Sequence, residues 1–183
     1  MIQTLDITTK NAITALAVVS EFSHELAEVI LGDTYSFDVI NSIALEGHFF
    51  SQSSDPEQSF YFSRLIREVL LVELRKDGAK KKRIHESLLN YHEDRNEPNL
   101  ALEHAYLAGN FEKVAELFPD AARILQATGR SRELIRWAIF AGDNSKLGLL
   151  KRSTVELSGR LAALEYRNVA SMIEKMNFDA EGT

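Results

Sequence analysis

Two histidines and a glutamate are the first residues that could do chemistry. His85-Glu86 followed by His92 approaches the pattern of a helical zinc site, where histidines one turn apart share a metal and the glutamate activates water. That geometry needs a histidine at position 89, which is Leu89. His85 and His92 lie about two turns apart, too far to share one ion unaided. His24, His48 and His104 are isolated in sequence, so these are read as packing or surface histidines, and no metal is expected.

Lys80-Lys81-Lys82-Arg83 is the one dense basic run, short for a nucleic-acid contact and without interleaved aromatics. The solvated first turn of a helix is its usual explanation, although its charge there opposes the macrodipole, a mild conflict that pairing with acidic residues or a partner would relieve. No G-x-x-x-x-G-K-[ST] loop, G-x-S-x-G elbow, kinase signature or glycine-rich dinucleotide loop occurs. No carboxylate pair stands in an evidently apolar setting that would tune its pKa. The expectation is a chain that is not an enzyme and carries no cofactor.

The remaining candidates are aromatic. Tyr91, Tyr106, Phe111, Phe118, Trp137 and Phe140 could line a groove for a peptide or small effector, although aromatics at helical spacing are more often core. Tyr91, Tyr106 and Trp137 are taken as the candidate partner or effector surface, with Tyr106 foremost because it lies beside an alanine-rich packing face.

The elements that must position these residues are mostly helices. With 183 residues, 45% of them hydrophobic, the chain can bury one core or two small ones. Cysteine is absent, and no apolar run is long enough to span a membrane, as expected of a cytoplasmic protein. Ala12 to Val19 is apolar, but Asp6 and Glu21 flank it and no cleavage signal follows, so it reads as a buried helix. The net charge of -6 argues weakly against attraction to nucleic acid or anionic lipid.

In order, Thr9 or Asn11 is expected to open a helix running to Val19. Ser23 caps a second helix that Gly32 ends, and Ser36 caps a third that ends at Gly47. His48 to Ser51 and Phe60 to Phe62 read as strands around the turn Ser53-Ser54-Asp55-Pro56. Three helices and then a β-hairpin is the order of a winged helix. An amphipathic helix from Ser63 to about Lys76 follows, with apolar residues at 65, 66, 69, 70, 72 and 74.

The stretch from Arg83 to Leu117 reads as a helix, a break at Asn96-Glu97-Pro98, a second helix ending at Gly109-Asn110, and the start of a third. Its phrase returns about 33 residues later: Leu102 to Asn110 matches Ile135 to Asp143, and Lys113, Val114 and Leu117 match Lys146, Leu147 and Leu150. That period is near a tetratricopeptide repeat. Pro119 is expected to head a further helix ending at Gly129, and Ser131 to open the next. Weaker helical periodicity continues over 147–150, 155–164 and 166–176, and the polar end from Asp179 is expected to fray. The fold class is therefore mainly α: a winged-helix domain with a short β-hairpin over residues 1–77, then a tetratricopeptide-like α-solenoid over 78–183.

These residues resemble the middle of the large ATP-dependent bacterial transcription regulators related to the maltose-regulon activator (MalT-like, LuxR-type, STAND class). Phe22 to Ala27 looks like the second helix of that family's winged domain, and Phe60 to Leu70 like its aromatic strand and following helix. Ile84-His85 through Tyr91, with Ala101 to Ala105 and Ala108 to Asn110, is similar to its first helical repeat. Gly129-Arg130 with Leu134 to Trp137 resembles the next phrase. The resemblance implies a regulatory module that docks on a nucleotide-binding core in cis or trans, with a protein partner or small effector on the repeats. It also implies a central piece of a larger regulator or a reduced stand-alone relative. Where the family usually has a histidine near bound nucleotide this chain has Ser63, which cannot carry the charge. The third helix contains Asp38 and Glu46 and no lysine or arginine, which disfavours DNA binding through it. A small DNA-binding winged-helix regulator is left as the alternative reading, with an enzyme whose site is not visible in sequence behind it.

Overall fold

A computed structural model of the chain describes residues 6–46, 49–53, 59–130, 132–134, 136, 137 and 140. It is mainly helical, with one small sheet, and divides into two compact units between Leu88 and Leu89.

The first unit begins with α1, Ile7–Leu16. The Asp6 carboxylate caps it, accepting hydrogen bonds from the Thr8 and Thr9 amides at 2.9 Å each. The helix thus starts two residues before Thr9, because a carboxylate that takes two orphan amides is the stronger cap. It also ends before Val19. The chain turns instead, and the Arg67 guanidinium donates to the carbonyls of Val18 (2.8 Å) and Val19 (3.2 Å), fixing the exit.

That exit leads into β1, Glu21–Phe22, a strand the residue pattern did not announce. Two residues are too few to show alternation. Ser23 then caps α2, His24–Leu31, accepting from the Leu26 amide at 3.2 Å, and Gly32 ends it at φ 55°. A single 3-10 turn at Gly32–Thr34 precedes α3, Phe37–Glu46, whose first turn Ser36 caps through the Val39 amide. Strands β2, Phe50–Gln52, and β3, Phe60–Phe62, complete an antiparallel sheet in the order β1-β3-β2. The hairpin turn at 54–58 and the expected helix end at Gly47 lie outside the described residues.

β3 is central, and its alternation sets the core. Phe60 and Phe62 point inward while Tyr61 faces out, donating its hydroxyl to Glu21 at 2.8 Å. Phe22 stacks on Phe60 at 5.2 Å between ring centroids and meets Phe50 edge-on at 5.2 Å. Offset and edge-on contacts of this kind add to the burial energy of large rings. Ile13, Leu16, Ala27 and Ile40 join from the helices. Helix α4, Arg64–Leu74, buries Leu70 and Leu74 and leaves Leu65, Val69 and Val72 exposed, so its apolar residues cover more than one face. Ser63 precedes it without a side-chain cap bond.

Helix α5, Gly78–Asp94, gives Ile84 and Leu88 to this first core. The second core contains Leu89 of α5 with Ala101, Leu102 and Ala105 of α6, Pro98–Leu107, and Val114, Phe118 and Leu125 of α7, Phe111–Ala127. Glu97 stands before Pro98 but sends its carboxylate to His92 rather than to the helix amides. Gly109, at φ 74°, makes the turn out of α6, and the Asn110 side chain caps α7 through the Lys113 amide at 3.2 Å.

Pro119 does not head a new helix: it lies inside α7. A proline costs a helix one hydrogen bond, but Val114, Phe118, Ala121, Ala122 and Leu125 keep one buried face in register across it. Tertiary packing outweighs the local break. The second copy of the repeat phrase, 135–143, falls largely outside the described residues, as do the helices expected beyond it and the opening Ser131. Residues 132–134, 136, 137 and 140 are helical.

Candidate recognition surfaces

The alanine-rich face of α6 decides where Tyr106 goes. Ala101, Ala105 and Ala108 are buried, and Tyr106, one position round the helix, is half-exposed. Its ring meets Trp137 edge-on at 5.4 Å and Phe140 edge-on at 4.7 Å. Trp137 is itself buried, in the same core as Leu134 and Phe118, and the Arg136 guanidinium lies 5.1 Å over its ring. Glu103, Tyr106, Leu107, Arg136, Trp137 and Phe140 enclose a groove of about 280 Å³. Its walls are aromatic, with one acid and one base at the rim. Such a groove can hold an apolar side chain and orient a polar group beside it. Among the described lining residues no serine, threonine or cysteine stands beside a base.

Tyr91 is elsewhere. It lies on α5, partly buried, with the Arg95 guanidinium 4.6 Å from its ring centroid and the His92 ring 5.2 Å away. Of the three nominated residues, Tyr106 and Trp137 come together and Tyr91 does not join their groove. Phe111 reaches Phe140 at 5.8 Å, whereas Phe118 is fully buried. Glu103 and Arg136 complete the groove beside these aromatics. Arg136 stands next to Trp137 in sequence, but nothing in its spacing marks it as a rim residue.

The histidines separate into distinct roles. His92 Nδ1 is 2.7 Å from Glu97, and its ring stacks on His104 at 5.3 Å. His85 is buried on α5, and desolvation, reinforced by the nearby Lys81 charge, pushes its pKa down from 6.5 to about 4. His24 packs flat on Phe37 at 4.2 Å and edge-on to Phe60, and its Nδ1 is 3.0 Å from the Tyr35 hydroxyl. Among the described residues its buried Nε2 has no hydrogen-bond partner, and burial lowers its pKa while the Asn41 side chain pulls the other way. Among the described residues, no group of three or more histidines and carboxylates is arranged to hold a metal ion.

Helix α3 holds the place of a recognition helix. Its exposed residues include Phe37, Asp38, Ser42 and Leu45, an acidic and apolar set. On α4, the exposed Leu65, Val69 and Val72 follow i, i+4, i+7 spacing along one stripe.

Three helices and a small antiparallel sheet, with β1 between α1 and α2 and the β2–β3 hairpin after α3, give the first unit the arrangement of a winged helix. Residues 1–82 match the family model described as the MalT winged helix domain, so this part of the chain is similar to a MalT-like winged-helix region. No curated protein matches the chain. Among the described residues, no helix is long and apolar enough to cross a membrane.

Proposed function

We propose that the chain is a non-enzymatic docking and recognition module of a MalT-like, LuxR-type transcription regulator of the STAND class. The match of residues 1–82 to the MalT winged helix domain carries this reading. The winged-helix region docks on a nucleotide-binding core, in cis or in trans, through the Leu65-Val69-Val72 stripe of α4. Desolvating three such side chains against an apolar partner is worth several kcal/mol. The tetratricopeptide-like hairpins from residue 78 onward recognise a protein partner or small effector at the Tyr106–Trp137 groove. The protein acts in the cytoplasm. The acidic α3 surface supports docking over DNA binding, because phosphate contacts want cations on that helix.

The test is capture of the native product from its source cells with an antibody against this segment, followed by sizing. A nucleotide-binding core should appear in the same polypeptide or co-purify with a species near 20.6 kDa. Val69→Asp should abolish co-purification, or release the core after proteolytic separation of a longer chain. Recovery without any such core, together with a salt-dependent shift of labelled duplex DNA, would overturn the proposal in favour of a small DNA-binding regulator.

A further inference from the structure

The basic run at 80–83 has a structural context that neither docking nor groove recognition uses. Thr8, Asn11, Ala12 and Ala15 fall at i, i+3, i+4, i+7 on one face of α1, and form one wall of a cleft of about 590 Å³. Ile30, Leu31 and Thr34, at the end of α2 and the turn after it, form the second wall. The first turns of α5, with Lys80, Arg83 and Ile84, form the third. The two alanines leave the space open. The volume lies in the range of small-molecule sites.

Charge in this cleft is unbalanced. Asp77 is its one acidic lining residue, and its carboxylate accepts the Lys80 backbone N–H at 2.9 Å as a helix cap. Lys80 donates its ammonium to the Asn11 carbonyl at 3.1 Å; burial lowers its pKa, the Asp77 charge opposes that, and the Arg83 charge adds a smaller lowering. Lys10 and Lys76 pair with Glu73, and Lys82 with Glu86, while Lys81 of the same run has no such pair among the described residues. Arg83 has no carboxylate partner among the described residues. Two like charges one turn apart on a single helix repel each other unless an anion lies between them. Thr8, Asn11 and Thr34 bring polar side chains to the facing walls, while Ala12, Ala15, Ile30, Leu31 and Ile84 supply an apolar floor.

We propose that this cleft of the winged-helix unit binds a small amphipathic anion, its carboxylate or phosphate held by Arg83 and Lys80 and its apolar body lying against α1 and the end of α2. A planar guanidinium with free donors suits either anion, and a hydrogen bond between charged groups is about twice as strong as a neutral one. The bound molecule bridges α1, α2 and α5, so it stabilises the unit on binding.

Phenyl phosphate and benzoate serve as anionic probes and phenol as their neutral counterpart, each titrated into the full ¹⁵N-labelled chain and followed by amide shifts. At least one anion should saturate, with shifts concentrated at Thr8, Asn11, Thr34 and the 79–84 turn, and the tighter of the two identifies the preferred headgroup. Arg83→Gln, an exposed residue with no bond to lose, should weaken it at least tenfold while leaving the spectrum folded, and Arg83→Lys should recover part of the loss. Lys82→Gln, one position away on the same basic run, should change little. Equal binding of phenol, no saturable shift at millimolar anion, or an equal loss in Lys82→Gln would each overturn the proposal.

Discussion

Acidification should weaken the protein through His85 in a window that the structure defines. Its imidazole is buried on α5, and its pKa falls from 6.5 to about 4 because charge is costly there. In the unfolded chain the same ring titrates near 6.5. Above that value neither state binds the proton. Between 6.5 and about 4 the unfolded state takes it up and the folded state does not, so stability declines as pH falls and levels off below about 4. At 1.36 kcal/mol per pH unit the full term is about 3 kcal/mol, and residual solvent access brings the expected loss to roughly 2 kcal/mol. That is a sizeable share of a domain's stability. The perturbation is His85→Gln, which keeps a polar side chain without titration. The assay is urea unfolding at a series of pH values from 7.5 to about 4. The variant should lose less stability across the window, by roughly 2 kcal/mol, than the parent. His24 acts in the same direction but is present in both proteins, so it cancels in the difference. Parallel pH profiles, or a His85 ring proton that titrates near 6.5 by NMR, would refute the reasoning.

Other perturbations should read out on stability or binding. Phe60→Ala removes a fully buried ring that contacts Phe22, Phe50 and His24, and should cost about 3–5 kcal/mol by chemical denaturation. Arg67→Met leaves the Val18 and Val19 carbonyls without their donor, and should cost about 1–3 kcal/mol in the same measurement. Gly109→Ala forces a side chain into φ 74°, and should lower stability by about 1 kcal/mol although nothing crowds the new methyl group. Tyr106→Ala should abolish capture of the partner or effector at the groove while lowering stability by only about 1–2 kcal/mol through its lost contacts with Trp137 and Phe140. Trp137→Ala should also unfold its core by about 3–5 kcal/mol, so Tyr106 is the cleaner probe.

What the sequence makes legible follows from how local each signal is. Ser23 and Ser36 can be read as caps because a cap bonds an amide three residues away, whereas Asn110 reads as a helix end and is found capping the next helix. The aromatic alternation of β3 is visible in Phe60-Tyr61-Phe62 alone. β1 is not visible, because its strand character comes from pairing with residues about forty positions away. Pro119 misleads for the opposite reason: the local penalty is real, but the face it interrupts is held by core contacts. The α4 pattern predicts burial without telling which apolar residues the core can reach, so Leu65, Val69 and Val72 emerge as surface only in three dimensions. Tyr106 and Trp137 are both legible as aromatics, and their meeting rests on the packing of α6 against the residues beyond α7.

The central place of β3 governs when the winged-helix unit can form during synthesis. β1 and β2 do not pair with each other. Each finds its ladder only on Phe60–Phe62, which is made last of the three. Until that strand leaves the ribosome, Phe22, Phe49 and Phe50 have no sheet to complete, and the earlier helices lack the floor they pack on. A nascent chain arrested before residue 60 should therefore expose an aromatic surface attractive to chaperones, whereas one arrested beyond α4 should resist protease.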